Sequence, residues 1–243
     1  MIIPILILSS IFIIIAFSVT ENNAKYLLSG YNTMSEEEQQ KFDIHSYIPY
    51  FRKFHLVLGI SLLVISLLLY YFVDSDWCGI FLGVYPILAY IFFIWKGKQF
   101  SKEKNTKQII KTYGAMGIML LLLVFLMYEF KSSLNDNEII VANNRITING
   151  SYGTEIKLND VKSIQLTDEL PKITSKINGF ALETVKKGYF LTDKGEKVTL
   201  LLNSQKSPFI VITTSDQKRI FYAAKNKSTV EIYHKLNNKI NRK

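Results

Sequence analysis

Long apolar stretches separated by short polar ones fill the first half of this chain, and short alternating patterns fill the second. Ile2–Val19 runs for eighteen positions without a charge, Phe54–Val73 for twenty, Gly79–Trp95 is a third such run, and Thr112 to about Phe130 is the fourth. A helix of about 20 apolar residues crosses the ~30 Å of a bilayer's hydrocarbon, so each run is predicted to span a membrane. The first run competes with a secretory signal peptide. No Lys or Arg precedes its core and no small-residue cleavage site follows it, so it is expected to be a retained span. In the third, Gly79 and Gly83 have a spacing that allows close helix approach, and Pro86 is positioned to kink the helix.

Beyond Lys131 the period changes. Glu138–Ala142 and Arg145–Asn149 flank Asn143-Asn144, a two-residue turn of the kind that closes a hairpin. Gly153–Leu158, Val161–Asp168, Gly188–Asp193, Glu196–Asn203, Phe209–Thr214 and Lys218–Ala223 continue the strand pattern, with Val198, Leu200 and Leu202 on one face. Roughly seven short strands with tight turns predict a sandwich or barrel. The end is helical: Ser228-Thr229-Val230-Glu231 fits a capping box, and Val230, Tyr233, Leu236 and Ile240 form a stripe.

Charge divides the chain at the same place. Residues 1–130 carry 10 Lys/Arg and 9 Asp/Glu, and residues 131–243 carry 19 and 11. Lys96, Lys98, Lys102, Lys104, Lys107 and Lys111 crowd the third loop, and Lys25, Lys41, Arg52 and Lys53 lie in the first, whereas the Asp74–Cys78 hairpin has none. Short loops rich in Lys/Arg stay cytoplasmic, which puts loops 20–53 and 96–111 inside. With four spans, the N-terminus and everything after Phe130 then lie outside the cytoplasm. Cys78, the only thiol, is expected to be reachable from outside. No Asp, Glu, Lys or Arg sits mid-span, which argues against a pump or transporter and for an anchor or partner-binding bundle. The basic residues of the second half are scattered, so nucleic acid is not an expected partner.

In the first loop, Ser35-Glu36-Glu37-Glu38 fits a capping box opening a short helix from about Met34 to His45, ended before Pro49. The bland reading is a well-capped connector at the membrane face, and the sharper one is a ligand or partner site. Gly30, Tyr31, Asn32, Thr33, Ser35, Glu36, Glu37 and Asp43 resemble the signature of the bacterial membrane family called domain of unknown function 3784, over roughly residues 1–75. Ser29 and Phe42 depart mildly from its commoner alanine and tyrosine, and the resemblance implies no activity. In the second half, the runs from Thr147 to Pro171, Asn178 to Phe180, Lys187 to Phe190 and Ser207 to Thr214 resemble the bacterial pleckstrin homology domain. That resemblance implies an all-β pleckstrin-homology-like barrel over 131–243, capped by its C-terminal helix and used for interaction, beside a four-helix membrane domain over 1–130. No phosphoinositide-binding residues carry over.

Candidate chemistry is sparse. No GxSxG, HExxH, CxxC, P-loop or GxGxxG occurs. His45, His55 and His234 are too scattered to share a metal, and Asp160, Asp168 and Asp193 sit where turns use Asp. His55, beside Arg52 and Lys53, is expected at headgroup level rather than facing a pore. The segment Glu169–Lys187, read as a loop, is the candidate interaction surface through Lys172, Lys176, Phe180, Lys186 and Lys187. Its competing reading packs Phe180 inward and leaves the lysines solvated. The expected function is a non-enzymatic multi-pass protein of the cytoplasmic membrane, with no cofactor and no metal, whose partners are the lipid bilayer and a protein of the cell envelope. The alternative is a transport or signalling component that binds a lipid or small ligand.

Overall fold

The structure is a computed structural model that describes residues 1–101, 106–225 and 227–240. Lys102, Lys104 and the side chain of Lys107, half of the basic loop, lie outside the described residues. The chain divides into two compact units, Met1–Met127 and Tyr128–Lys243.

In the first unit, α1 (Ile2–Ser18) packs along α4 (Ile44–Phe72), and α4 packs on α5 (Ser75–Gly97). Among the described residues, three helices are long and apolar enough to cross a membrane: Ile44–Phe72, Ser75–Phe100 and Ile109–Leu134. These fit a membrane protein. The helix α1 is shorter, at 17 residues, so the expected count of four spans stands at three by length plus this one. It buries Ile5, Ser9, Phe12 and Ala16 at alternating steps of four and three, the period of one helix face. The opposing point on α4 is Gly59, where an added Cβ would stand 2.7 Å from Ile13 Cγ1 and 2.9 Å from the Ser9 carbonyl oxygen. This is the close approach of α1 and α4, and Gly59 provides it.

Several boundaries differ from expectation. The span predicted from Phe54 begins ten residues earlier, at Ile44, and runs through Pro49. Proline interrupts a helix by lacking an N–H and by crowding the preceding turn. Only five helical residues precede Pro49, so little helix is there to be broken. The helix predicted over Met34–His45 is confined to α3 (Glu36–Gln40), after a one-turn α2 (Ala24–Leu27). The hairpin expected over Asp74–Cys78 is tighter, because Asp74 itself caps α5 by accepting from the Asp76 and Trp77 amides at 2.8 and 3.4 Å. Cys78 therefore lies inside the helix, fully buried, its Sγ donating to the Ser66 carbonyl at 3.3 Å, and the expectation that it is accessible is overturned. The last apolar helix, α6 (Thr106–Leu134), has no buried residue from Ile109 to Ser132.

The second unit is β-rich, with two sheets and a C-terminal helix. Strands β1 (Ile139–Ala142), β2 (Arg145–Ile148) and β3 (Thr154–Lys157) form an antiparallel meander. Asn143 and Asn144 both take positive φ, 49° and 59°, which matches the right-handed twist of the flanking strands. The remaining strands are β4 (Val161–Thr167), β5 (Ile173–Ala181), β6 (Lys186–Thr192), β7 (Lys197–Leu202), β8 (Phe209–Thr214) and β9 (Arg219–Ala223). They form one sheet in the order β4-β8-β9-β7-β6-β5, in which β9 lies between β7 and β8 and pairs parallel to β7.

Strand β5 replaces most of the expected loop over Glu169–Lys187. It is an edge strand with five consecutive exposed residues, so burial imposes no alternation on it and the sequence carries no strand period there. A flat six-stranded sheet would hold its edges at least about 24 Å apart. The edges β4 and β5 are joined by five residues, which reach about 20 Å when fully extended, so the sheet curls toward itself. One face holds Phe190, Val198, Leu200, Leu202, Phe209, Phe221 and Ala223, with Leu170 and Ile173 packed against it. The other face, with Leu201, Ile210, Ile212, Ile220 and Tyr222, meets Ile146, Ile148 and Ile156 of the small sheet and Leu236 of α7 (Thr229–Ile240). The α7 stripe packs through Ile232, Tyr233, Leu236 and Ile240, and Ser228 Oγ accepts from the Glu231 amide at 3.3 Å as the capping pattern predicts.

Candidate functional site

Three arrangements carry the polar chemistry of the chain. The first is the loop signature, which folds into a clip. Gly30 turns the chain at φ +92°, the Thr33 hydroxyl donates to the Gly30 carbonyl at 3.2 Å, and the Asn32 amide donates to Leu28 O at 3.0 Å. Ser35 and Glu38 complete the predicted capping box, with Ser35 Oγ accepting from the Glu38 amide and Glu38 Oε2 from the Ser35 amide. Glu36 and Glu37 lie exposed in the same first turn, where the helix dipole favours acids. Tyr31 packs its ring on Phe42 at 5.5 Å. Asp43 caps α4 by accepting from the Ser46 amide at 3.1 Å, while its own amide donates to the Phe100 carbonyl at 2.8 Å. A bridge between Phe42 and Ser101 completes the tie to the far end of α5. Each signature residue except the exposed Asn32, Glu36 and Glu37 side chains thus has a turn, capping or packing task.

Beneath the clip lies an aromatic cluster of Tyr47, Tyr50, Phe51, Phe54, Tyr90, Phe93 and Phe100. His55 sits against it, 1% exposed, with Nδ1 2.8 Å from the Phe51 carbonyl and Nε2 3.0 Å from the Tyr90 hydroxyl. His55 thus faces α5 inside the bundle and is held by it, whatever its depth in a bilayer. Both ring nitrogens are occupied by fixed partners.

The third arrangement is in the second unit, and sequence reasoning missed it. The segment Asn135–Glu138, just after α6, is held from several sides. Asn137 donates its amide to Asn203 Oδ1 at 3.2 Å and its Nδ2 to the Asn149 and Ser151 carbonyls at 2.7 and 3.0 Å. Its carbonyl accepts from the Tyr222 hydroxyl at 2.8 Å, and Asn203 Nδ2 is itself fixed on the Ala223 carbonyl. Ser132 and Ser151 join their hydroxyls at 2.9 Å. Asn in a connector ordinarily signals a turn, so nothing in the sequence distinguishes Asn137 as a hub.

Lys187 belongs to this arrangement and not to a surface loop. It is fully buried, and its Nζ donates to the Asn135 carbonyl. Burial pulls its pKa down to about 8, with Asp136 opposing and Lys225 reinforcing the shift. Burial, aided by Asp136 and Glu138, pushes the Tyr222 hydroxyl up to about 12. Of the other candidate-surface residues, Lys172 and Lys176 are exposed on or beside β5, Lys186 is half-buried, and Phe180 packs edge-on to Phe130 at 5.9 Å. They do not converge on one site.

Beside the hub a groove of about 570 Å³ runs between β1 and α7. Ile139, Val141, Ile232 and Leu236 line it together with Asp136, Glu138, Lys235 and Lys239, and Lys227 pairs with Glu138 at 3.0 Å on its margin. Ala142 and Arg145 flank the two-residue turn as a hydrogen-bonded pair, and the Asn149 amide donates to Glu138 O. Alternation along the ladder then directs the backbone N–H and C=O of Ile139 and Val141 away from β2, toward the groove. The Val141 carbonyl accepts from Lys239 Nζ at 3.3 Å. Among the described residues, no group of His, Cys, Asp and Glu could hold a metal ion.

Fold and site together describe a chain of membrane-type helices followed by a β-rich unit with a strand-edge groove. Residues 6–101 match a family model described as a domain of unknown function (DUF3784), which extends the resemblance read from the loop signature through α5. The match ends at Ser101, the residue bridged to Phe42, and so coincides with the clipped bundle of α1, α4 and α5 and leaves out α6. No curated protein and no solved structure matches the chain.

Proposed function

We propose that this chain is a non-enzymatic bacterial protein of the cytoplasmic membrane, whose second unit is a pleckstrin-homology-like module that captures an extended segment of an envelope protein along β1. The observation that carries the reading is the outward backbone edge at Ile139 and Val141, set beside an apolar groove with charged margins. A peptide adding to such an edge gains main-chain hydrogen bonds, and the groove selects its side chains. The curled sheet and the packed C-terminal helix support the pleckstrin-homology-like assignment. The parallel pairing of β7 with β9 departs from a simple antiparallel meander.

Sidedness follows from the basic loops, and α1 does not affect it for the second unit. With the first loop inside, α4, α5 and α6 alone bring the chain out, back and out again. The status of α1 decides only the side of the N-terminus. The burial of its Ile5–Ala16 face on α4 supports its being a fourth, retained span.

The test uses the full chain in membranes, with a photo-crosslinking residue at position 235. A discrete protein adduct is expected, and Val141→Pro abolishes it, because proline removes an N–H that faces the groove and leaves the β2 ladder intact. Adduct formation unchanged by Val141→Pro, or the absence of any adduct in intact membranes, overturns the reading.

A further inference from the structure

The first unit holds a groove of about 480 Å³ whose lining includes Glu21, Arg52, Lys53, Leu56, Val57 and Ile60. Its polar and apolar parts are sorted along α4. Arg52 and Lys53 lie exposed at one end, and among the described residues neither has an acidic partner. The Arg52 guanidinium carbon is 5.6 Å from the Phe17 ring on α1, which holds the charge over the seam between the two helices. The one acid at the rim, Glu21, is occupied by His45, with Nδ1 2.6 Å from its carboxylate. Further along α4, Val57 and Ile60 are 56% and 53% exposed, and Val64 continues that outward stripe. At 1.5 Å per residue, Lys53 to Ile60 covers about 10 Å, the step from a bilayer's phosphates into its hydrocarbon.

We infer that this groove is a binding site for one anionic phospholipid of the surrounding bilayer, with its phosphate on Arg52 and Lys53 and an acyl chain along Leu56, Val57 and Ile60. Two unpaired cations over an apolar floor match an amphiphile carrying a net negative head. A peptide would leave the lipid-facing floor without a partner, and a free phosphate would not use it. The inference rests on α4 being a membrane span, and it holds whichever side the first loop occupies.

Native mass spectrometry of the full chain in detergent, given equal amounts of phosphatidylglycerol and phosphatidylcholine, tests it. Two cations at about a fivefold preference each predict roughly a 25-fold excess of the anionic adduct. The variant Arg52→Gln/Lys53→Gln is expected to bring that ratio close to one, whereas Lys96→Gln/Lys98→Gln keeps it. Ile60→Trp, which fills the floor and leaves the charges in place, is expected to weaken binding of both lipids, and millimolar inorganic phosphate is expected to displace neither. Equal adducts in the native chain overturn the proposal. So does a preference that survives Arg52→Gln/Lys53→Gln, or one that free phosphate abolishes.

Discussion

At the scale of single residues, Asn137 and Lys187 do work that their types do not announce. Asn137 gathers partners through both backbone and side chain, and Asn137→Ala removes its Nδ2 donor and strands the Asn149 and Ser151 carbonyls, while the main-chain bonds to Asn203 and Tyr222 remain. Each stranded group costs about 1–3 kcal/mol, and Tyr222→Phe, which strands only the Asn137 carbonyl, is expected to cost about 1 kcal/mol. Thermal unfolding of the β-rich unit, followed by circular dichroism on the detergent-solubilised chain, should rank the alanine variant well below the phenylalanine one. Lys187 makes a prediction in pH. Its folded pKa, about 8, lies below the unfolded 10.5, so between those values the unfolded state binds the extra proton. Stability should therefore rise as pH goes from about 8 to 10.5, and Lys187→Met should remove that rise. A melting temperature indifferent to pH across this window in the native chain would count against a buried amine that gives up its proton near pH 8.

At the scale of elements, close approaches and caps decide where helices and strands can lie. Gly59→Leu would push side-chain atoms into Ile13 and the Ser9 backbone, and overpacking of this kind costs about 1–3 kcal/mol. The expected result is a lowered melting point of the first unit in detergent, with the second unit unaffected. Gly179 and Gly188 face each other across β5 and β6, where an added Cβ on either would come within 2.5 Å of the opposing backbone. These two glycines belong to the short runs that carry the pleckstrin homology resemblance, so part of that pattern records strand contact. At the α4–α5 turn, the buried Cys78 is expected to resist a membrane-impermeant maleimide until denaturation. Trp77→Cys in a Cys78→Ala background, 60% exposed in the native residue, is expected to react from outside intact cells. Reaction of Trp77→Cys only after lysis would invert the proposed topology.

At the scale of the whole molecule, the family match closes at the clip and excludes α6, so the chain joins a bundle that packs on itself to a helix that does not and then to a β-rich unit. Deleting Ile2–Val19 tests the argument that α1 is irrelevant to sidedness. A C-terminal alkaline phosphatase fusion is expected to stay active with or without those residues, and loss of activity on deletion would show that α1 sets the second unit's side.

Much of this was legible in the order of residues. Uncharged runs mark the membrane helices because hydrocarbon tolerates little else, and Asn143-Asn144, Ser35–Glu38 and the Val198–Leu202 alternation mark a turn, a cap and a buried face through purely local physics. What the tertiary structure alone decided involves partners distant in sequence. Strand β5 gains its hydrogen bonds from β6 without needing an apolar face, His55 and Cys78 are buried by neighbouring helices, and Lys187 is drawn inward to Asn135, 52 residues away. Local composition specifies which segments leave water, but the burial of any one polar side chain depends on what the fold brings against it.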